Sequence, residues 1–188
     1  MRLYLAGPEV FLPDAMAVGD SKKALCARYG HVGVFPLDPP VQMPSGPVDW
    51  RRIHAANELL IRGCDALVAN LTPFRGPNAD PGTVFELGFM RGLGRAVHGY
   101  TTVTGDLLDR VECRFTDGVW RDAEGLEVED FSLGENLMLE GAIAASGGIM
   151  LRQDAIGDLW RDLGPFEALL EQLGTTEPQI QEGWRLPR

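Results

Sequence analysis

Cysteine is scarce in this chain and badly placed for either of its usual structural uses. Cys26, Cys64 and Cys113 are odd in number, lie far apart and form no C-x-x-C pair. His31, His54 and His98 are equally isolated, so no group has metal-ligand spacing and no disulfide framework is expected. The thiols read as reduced, buried side chains of a cytoplasmic protein, and neither a metal nor another cofactor is called for. Long apolar runs are missing too. The opening run at residues 3–6 is closed by Gly7-Pro8, and nothing approaches the ~20 apolar residues of a membrane span, so no membrane partner is expected. Positive charge is short: 17 Lys and Arg stand against 27 Asp and Glu, a net charge of −10. Nothing here would displace counterions from a phosphate backbone, which excludes a general nucleic-acid binder. No Walker lysine and no G-x-S-x-G are present. Gly92-Leu93-Gly94 follows a helix instead of opening one, and Val97 stands where a dinucleotide fingerprint needs its last glycine.

What the chain does contain, in 188 residues, is material for one compact domain over 1–188 that buries roughly 70% of its unfolded surface. The first hundred residues are nearly charge-balanced, and the acidic excess lies in the remainder, which reads as a solvated surface. Apolar runs at 3–6, 31–35, 65–71 and 95–100 predict strands, each bounded by Gly, Pro, Asn or Asp. Helical spacing predicts helices over 15–29, 50–62 and 82–93, with two more over 135–145 and 159–173. Prolines at 39, 40, 44 and 47 rule out regular structure over 37–47. Residues 101–132 form a polar excursion or small hairpin, and the tail from 175 is irregular. Strand and helix alternating in this rhythm imply right-handed crossovers, a parallel central sheet and helices on both faces. In such α/β sheets ligands bind at the carboxyl ends of the strands, so the loops at 7–13, 36–47 and 70–81 are the ones to inspect.

The 70–81 loop and the helix after it hold the chemistry. Asp80 followed by Pro81 is a helix start, since a carboxylate accepts from orphan N–H groups and proline suits the first helical position. That capping role by itself accounts for Asp80. Glu86 sits among Val84, Phe85, Leu87, Phe89 and Met90, where a carboxylate must either face water or have a purpose. Two carboxylates at the mouth of a strand–loop–helix unit suit glycosidic chemistry, one attacking or stabilising an oxocarbenium-like centre and the other orienting it. Arg75 either grips a substrate anion or braces the loop.

Three blocks now form a pattern. Tyr4-Leu5-Ala6-Gly7-Pro8-Glu9-Val10-Phe11, Asp65-Ala66-Leu67-Val68-Ala69-Asn70-Leu71 and Asp80-Pro81-Gly82-Thr83-Val84-Phe85-Glu86-Leu87-Gly88 together resemble the nucleoside 2-deoxyribosyltransferase family. Glu129-Asp130-Phe131 and Glu135-Asn136-Leu137-Met138-Leu139 extend the match in the family's order. The resemblance implies a flavodoxin-like three-layer sandwich and a double displacement with net retention. Its substrates are a 2′-deoxynucleoside and a free nucleobase. By resemblance Glu86 is the nucleophile, Asp80 holds it and contacts the sugar, and Tyr4 is its hydrogen-bond partner. Gly7, Phe11 and Asp38 flank the base, with Phe11 stacking on it, and Gly82 joins the substrate-binding set at the helix start. Asn136 and Met138 match positions inserted into a neighbouring subunit's site, which implies a homo-oligomer built from dimers with shared active sites.

One slot departs from the family. Where well-known members carry an aspartate that protonates the leaving base, this chain has Asn57, with Glu58 beside it and turned about 100° away on the helix. The tail, including Trp184 and Arg188, matches nothing in the family. Two other readings share the scaffold. A hydrolase of deoxynucleoside 5′-monophosphates needs phosphate donors at a helix N-terminus, where Pro81 lacks an N–H and Gly82-Thr83 bring no serine. A non-catalytic nucleotide-sensing module would bind without turnover and be indifferent to Glu86.

Overall fold

The structure is a computed structural model and describes residues 1–39 and 49–175. Most of the proline-rich segment at 37–47 and the tail beyond 175 therefore lie outside the described residues. Five strands form one wholly parallel sheet: β1 (Arg2–Ala6), β2 (Val32–Val34), β3 (Ala66–Asn70), β4 (Ala96–Thr101) and, after an antiparallel hairpin of β5 (Cys113–Thr116) and β6 (Val119–Asp122), β7 (Met150–Arg152). Their order across the sheet is β2-β1-β3-β4-β7. The helices are α1 (Ala15–Arg28), α2 (Trp50–Arg62), α3 (Pro81–Gly92), α4 (Leu137–Ala145) and α5 (Gly164–Thr175).

Alternation along the strands separates two cores. Tyr4 and Ala6 of β1 with Leu67 and Ala69 of β3 point to one face, where Ile61, Leu87, Met90 and Ile143 of α2, α3 and α4 cover them. Leu3, Leu5, Ala66 and Val68 point to the other, against Cys26 of α1 and Phe166, Leu169 and Leu170 of α5. With period-2 side chains buried on both faces, β3 has no solvent-facing residue, as a central parallel strand requires. This is a flavodoxin-like α/β sandwich. Cys26 and Cys64 are buried as expected, whereas Cys113, on the hairpin, is only partly so. Among the described residues, no helix is long and apolar enough to cross a membrane.

Two helix starts and one strand depart from the sequence expectation. The last helix starts at Gly164 instead of 159, because Pro165 has no N–H to donate and Asp162 Oδ1 accepts from Gly164 N–H at 2.9 Å. The helix expected from 135 begins at Leu137, since Asn136 is its N-cap and accepts from Met138 N–H at 3.0 Å. The strand β7 was not anticipated at all. It is three half-buried residues at the sheet edge, too short to show a period.

Candidate active site

Helix α3 delivers Glu86 to the sheet, and its start is set by local chemistry. Asp80 is the N-cap: its Oδ2 accepts from Thr83 N–H at 2.9 Å and from Thr83 Oγ1 at 3.1 Å, with Pro81 in the first turn. Such a cap stabilises a helix by about 1 kcal/mol. Leu87 and Met90 turn inward onto β1 and β3, which places the half-buried Glu86 beside the inward face of β1. There Tyr4 Oη donates to Glu86 Oε1 at 2.6 Å across 82 residues of sequence. That length is typical of a hydroxyl bound to a carboxylate. Tyr4 is fully buried, and burial together with the neighbouring Glu86 charge drives its phenol far above the ordinary range, so it remains a donor.

Burial also pushes the Glu86 carboxyl up to about 7; the Asp80 charge adds to the rise and the Tyr4 hydrogen bond opposes it. The positive end of α3 does not prevent this, because the helix-dipole effect fades within the first turn and Glu86 lies in the second. Near neutral pH both the carboxylate and the carboxylic acid are therefore populated. Among the described residues, the hydrogen bond to Glu86 comes from Tyr4, and none joins it to Asp80. Asp80 acts on Glu86 through its field, with Oδ2 occupied by Thr83.

The remaining residues expected at the site each have local surroundings of their own. Phe11, on the 3-10 turn Pro8–Phe11 after β1, is 57% exposed and stacks on Phe74 with centroids 5.4 Å apart and planes 13° from parallel. The Arg75 guanidinium lies over both rings, 4.6 Å from Phe74 and 5.3 Å from Phe11, on a backbone at φ 55°. Trp160 meets Phe74 edge-on at 6.1 Å. Phe74 and Trp160 extend the aromatic surface beyond the one ring anticipated. Asp38 spends both oxygens close to home, one on Phe35 N–H at 2.8 Å and one on Lys23 Nζ at 2.8 Å. Gly82 is exposed on the first turn of α3, and a Cβ there would lie 3.0 Å from Asp80 Oδ2. Asn57 is partly buried on α2, while Glu58 faces His54 at 3.7 Å. Asn136 donates to Glu129 Oε1 at 2.7 Å besides capping α4, and Met138 projects with 71% exposure. Among the described residues, no hydrogen bond or ion pair joins Asp38, Asn57, Asn136 or Met138 to Tyr4 or Glu86.

Sequence reasoning missed what lies beneath the first loop. Glu9 is 1% exposed, and its Oε1 accepts from Lys22 Nζ (2.8 Å), Asn70 Nδ2 (2.9 Å) and Tyr100 Oη (3.0 Å). Lys22 is fully buried and lies 5.0 Å from the Phe166 ring centroid. Asn70 Oδ1 in turn accepts from the Thr72 amide and hydroxyl, and Thr72 Oγ1 meets Thr102 Oγ1 at 3.0 Å. One polar network thus ties together the carboxyl ends of β1, β3 and β4. Burial works to raise the Glu9 carboxyl, but the Lys22 charge and the hydrogen bonds from Lys22 and Asn70 outweigh it and hold it below the usual range. Gly7 is required by this packing, since a Cβ would fall 2.0 Å from Glu9 Oε2. The only advance signal was an acid placed immediately after a buried strand and a Gly-Pro turn.

This chain is similar to known proteins. The family model described as nucleoside 2-deoxyribosyltransferase matches residues 3–138. An uncharacterized protein of Schizosaccharomyces pombe is 34% identical over 179 residues, covering 85% of this chain and 84% of the relative. The structure of a 2-desoxiribosyltransferase from Leishmania mexicana superposes with a TM-score of 0.63 at 30% identity, over 90% of this chain and 97% of that one. Sequence blocks, sheet order and the relatives agree, and the chain belongs to the nucleoside 2-deoxyribosyltransferase family.

Proposed function

We propose that this protein exchanges the base of 2′-deoxynucleosides through a covalent deoxyribosyl-Glu86 ester. The observation that carries the reading is the 2.6 Å bond from the buried Tyr4 hydroxyl to a carboxylate whose acidity is weakened by burial. A glutamate held in one orientation and poorly solvated is a competent nucleophile toward an anomeric carbon. In the first step the ionised Glu86 attacks C1′, the C1′–N bond breaks, and its electron pair leaves with the base, which takes up a proton from solvent water. In the second step a nitrogen of the incoming base attacks C1′ and releases Glu86 as carboxylate, with loss of that nitrogen's proton. Two inversions give retention.

Tyr4 keeps one Glu86 oxygen engaged, so the other is the attacking atom. Asp80, close enough for its charge to act on Glu86, favours the positive charge that develops at the sugar. Phe11, extended by Phe74 and Arg75, offers the face on which the base stacks, with Gly7, Asp38, Asn57 and Gly82 around the substrate. Asn57 orients the base by hydrogen bonding and cannot supply its proton. The exposed Met138 beside Asn136 supports a shared site in a homo-oligomer built from dimers, in which the start of α4 enters a neighbour's pocket.

The test is turnover of deoxyinosine with and without adenine. The reading expects deoxyadenosine and hypoxanthine in equal amounts, with little free deoxyribose. Release of deoxyribose at the same rate whether or not adenine is added would instead make the protein a hydrolase.

A further inference from the structure

The polar excursion between β4 and α4 has no part in the reaction above, yet it sends one side chain into the loop that carries Asp80. Arg110, at the end of the 3-10 turn Leu108–Arg110, donates from Nε to Pro77 O at 2.9 Å and from Nη1 to Gly105 O at 2.9 Å. Its Nη2 donates to Gly134 O and reaches Glu135 Oε1 at 3.3 Å. Glu135 is 1% exposed. Its Oε1 also accepts from Ala79 N–H at 3.2 Å, the residue before Asp80, and its Oε2 accepts from Asn136 N–H at 3.3 Å, the N-cap of α4. Burial raises the Glu135 carboxyl, against the opposing pull of the Asn136 amide and Arg110. The planar guanidinium fork suits this task, because it meets several carbonyls and a carboxylate in one rigid plane.

We propose that Arg110 and Glu135 are positioning residues, holding the backbone ahead of Asp80 so that its carboxylate stays within electrostatic reach of Glu86, and tying that loop to the start of α4. The proposal rests on the assignment of Glu86 as nucleophile for its consequence in turnover, but its geometric claim does not. A carboxylate that bonds the amides of Ala79 and Asn136 at once makes the two segments move together. Asp80 raises the Glu86 carboxyl by its charge, and that effect weakens as the two separate. Loosening the brace therefore makes Glu86 more acidic, as removing the Asp80 charge does.

The experiment follows the Glu86 carboxyl by carbon-13 NMR titration, assigned with Glu86→Gln, alongside kcat and donor KM. The variants are Arg110→Ala, Glu135→Ala, Glu135→Gln and, as reference, Asp80→Asn, which keeps an acceptor oxygen for Thr83. The unsubstituted protein should show a midpoint near 7, and Asp80→Asn a lower one. Arg110→Ala and Glu135→Ala should lower it in the same direction and reduce kcat about 10- to 100-fold with donor KM within about threefold, the cost of a misplaced catalytic group. Glu135→Gln keeps an oxygen for Ala79 N–H and should move the midpoint less than Glu135→Ala. Adding Arg110→Ala to Asp80→Asn should move it no further. A loss of thermal stability with an unmoved midpoint in Arg110→Ala and Glu135→Ala overturns the proposal, and if Glu135→Ala does not fold, Arg110→Ala decides alone. The midpoint is read without turnover, so an active Glu86→Ala would defeat the functional reading and leave this result standing.

Discussion

Two glutamates lie against the same sheet, one on each side, Glu9 buried and Glu86 half-buried, and their surroundings treat them in opposite ways. Glu9, on the side of α1 and α5, receives the Lys22 ammonium and two neutral donors, and its carboxyl is held below the usual range. Glu86, on the side of α3, receives one phenol, has Asp80 for a neighbour, and is pushed up to about 7. Burial raises both; the cation decides between them. A carboxylate paired with a buried cation is locked and serves as a joint between strands. One left undercompensated and only half-buried is available to react, which is the pattern by which a fold separates structural from chemical acids.

Substitutions should break this contrast in opposite senses. Replacing Glu86 by Ala removes the covalent nucleophile and should lower kcat by about 10³-fold or more, measured as base exchange; a tenfold loss would be too small for that role. The same change should not harm the fold. Glu86→Gln should raise the melting temperature, and by more at pH 8 than at pH 5. The sign follows from the raised carboxyl. Between its ordinary 4.5 and about 7 the folded protein binds more protons than the unfolded chain, so the ionisable Glu86 costs stability as pH rises through that window. Lys22→Met should behave in the reverse way, destabilising by about 3–5 kcal/mol in denaturant unfolding because Glu9 is left charged and buried without its partner.

The pH dependence sharpens the contrast further. If attack needs ionised Glu86, kcat/KM should climb with pH through a limb near 7, the acidity of the free enzyme's essential group. Tyr4→Phe removes the one interaction that lowers Glu86 and should shift the limb upward, whereas Asp80→Asn removes a repulsion and should shift it downward. Shifts in one direction for both would contradict the assigned roles. The smallest effect expected is at the leaving-group step: Asn57→Asp should raise purine exchange severalfold at pH values where the new carboxyl retains its proton. Unchanged rates would mean that protonation of the base is not limiting.

Most of the sheet was readable because its strands are short apolar runs stopped by Gly, Pro or Asn, and α3 because Asp80-Pro81 announces a helix start. The edge strand β7 was not, since three half-buried residues carry no period. The start of α5 was misplaced because apolar spacing runs on through 159–163, and Pro165 with the Asp162 cap overrides it. At the site, Glu86 stood out locally as an acid among apolar residues, but its pairing with Tyr4 spans 82 positions and was legible only through the family resemblance. The Glu9–Lys22 joint was invisible for the same reason in stronger form. A lysine on an ordinary helix reads as solvated, and only the docking of α1 and α5 against the sheet reveals that it is sealed in.

Glu86 is expected to bond to an anomeric carbon during turnover. Incubation with a 2′-fluorinated arabinoside, followed by proteolysis and mass spectrometry, should place a fluorinated pentosyl group on the peptide containing Glu86 and on no other, with Glu86→Gln unlabelled. An adduct on a different residue, or rapid consumption of that donor by the native protein with no adduct at any time, would contradict it.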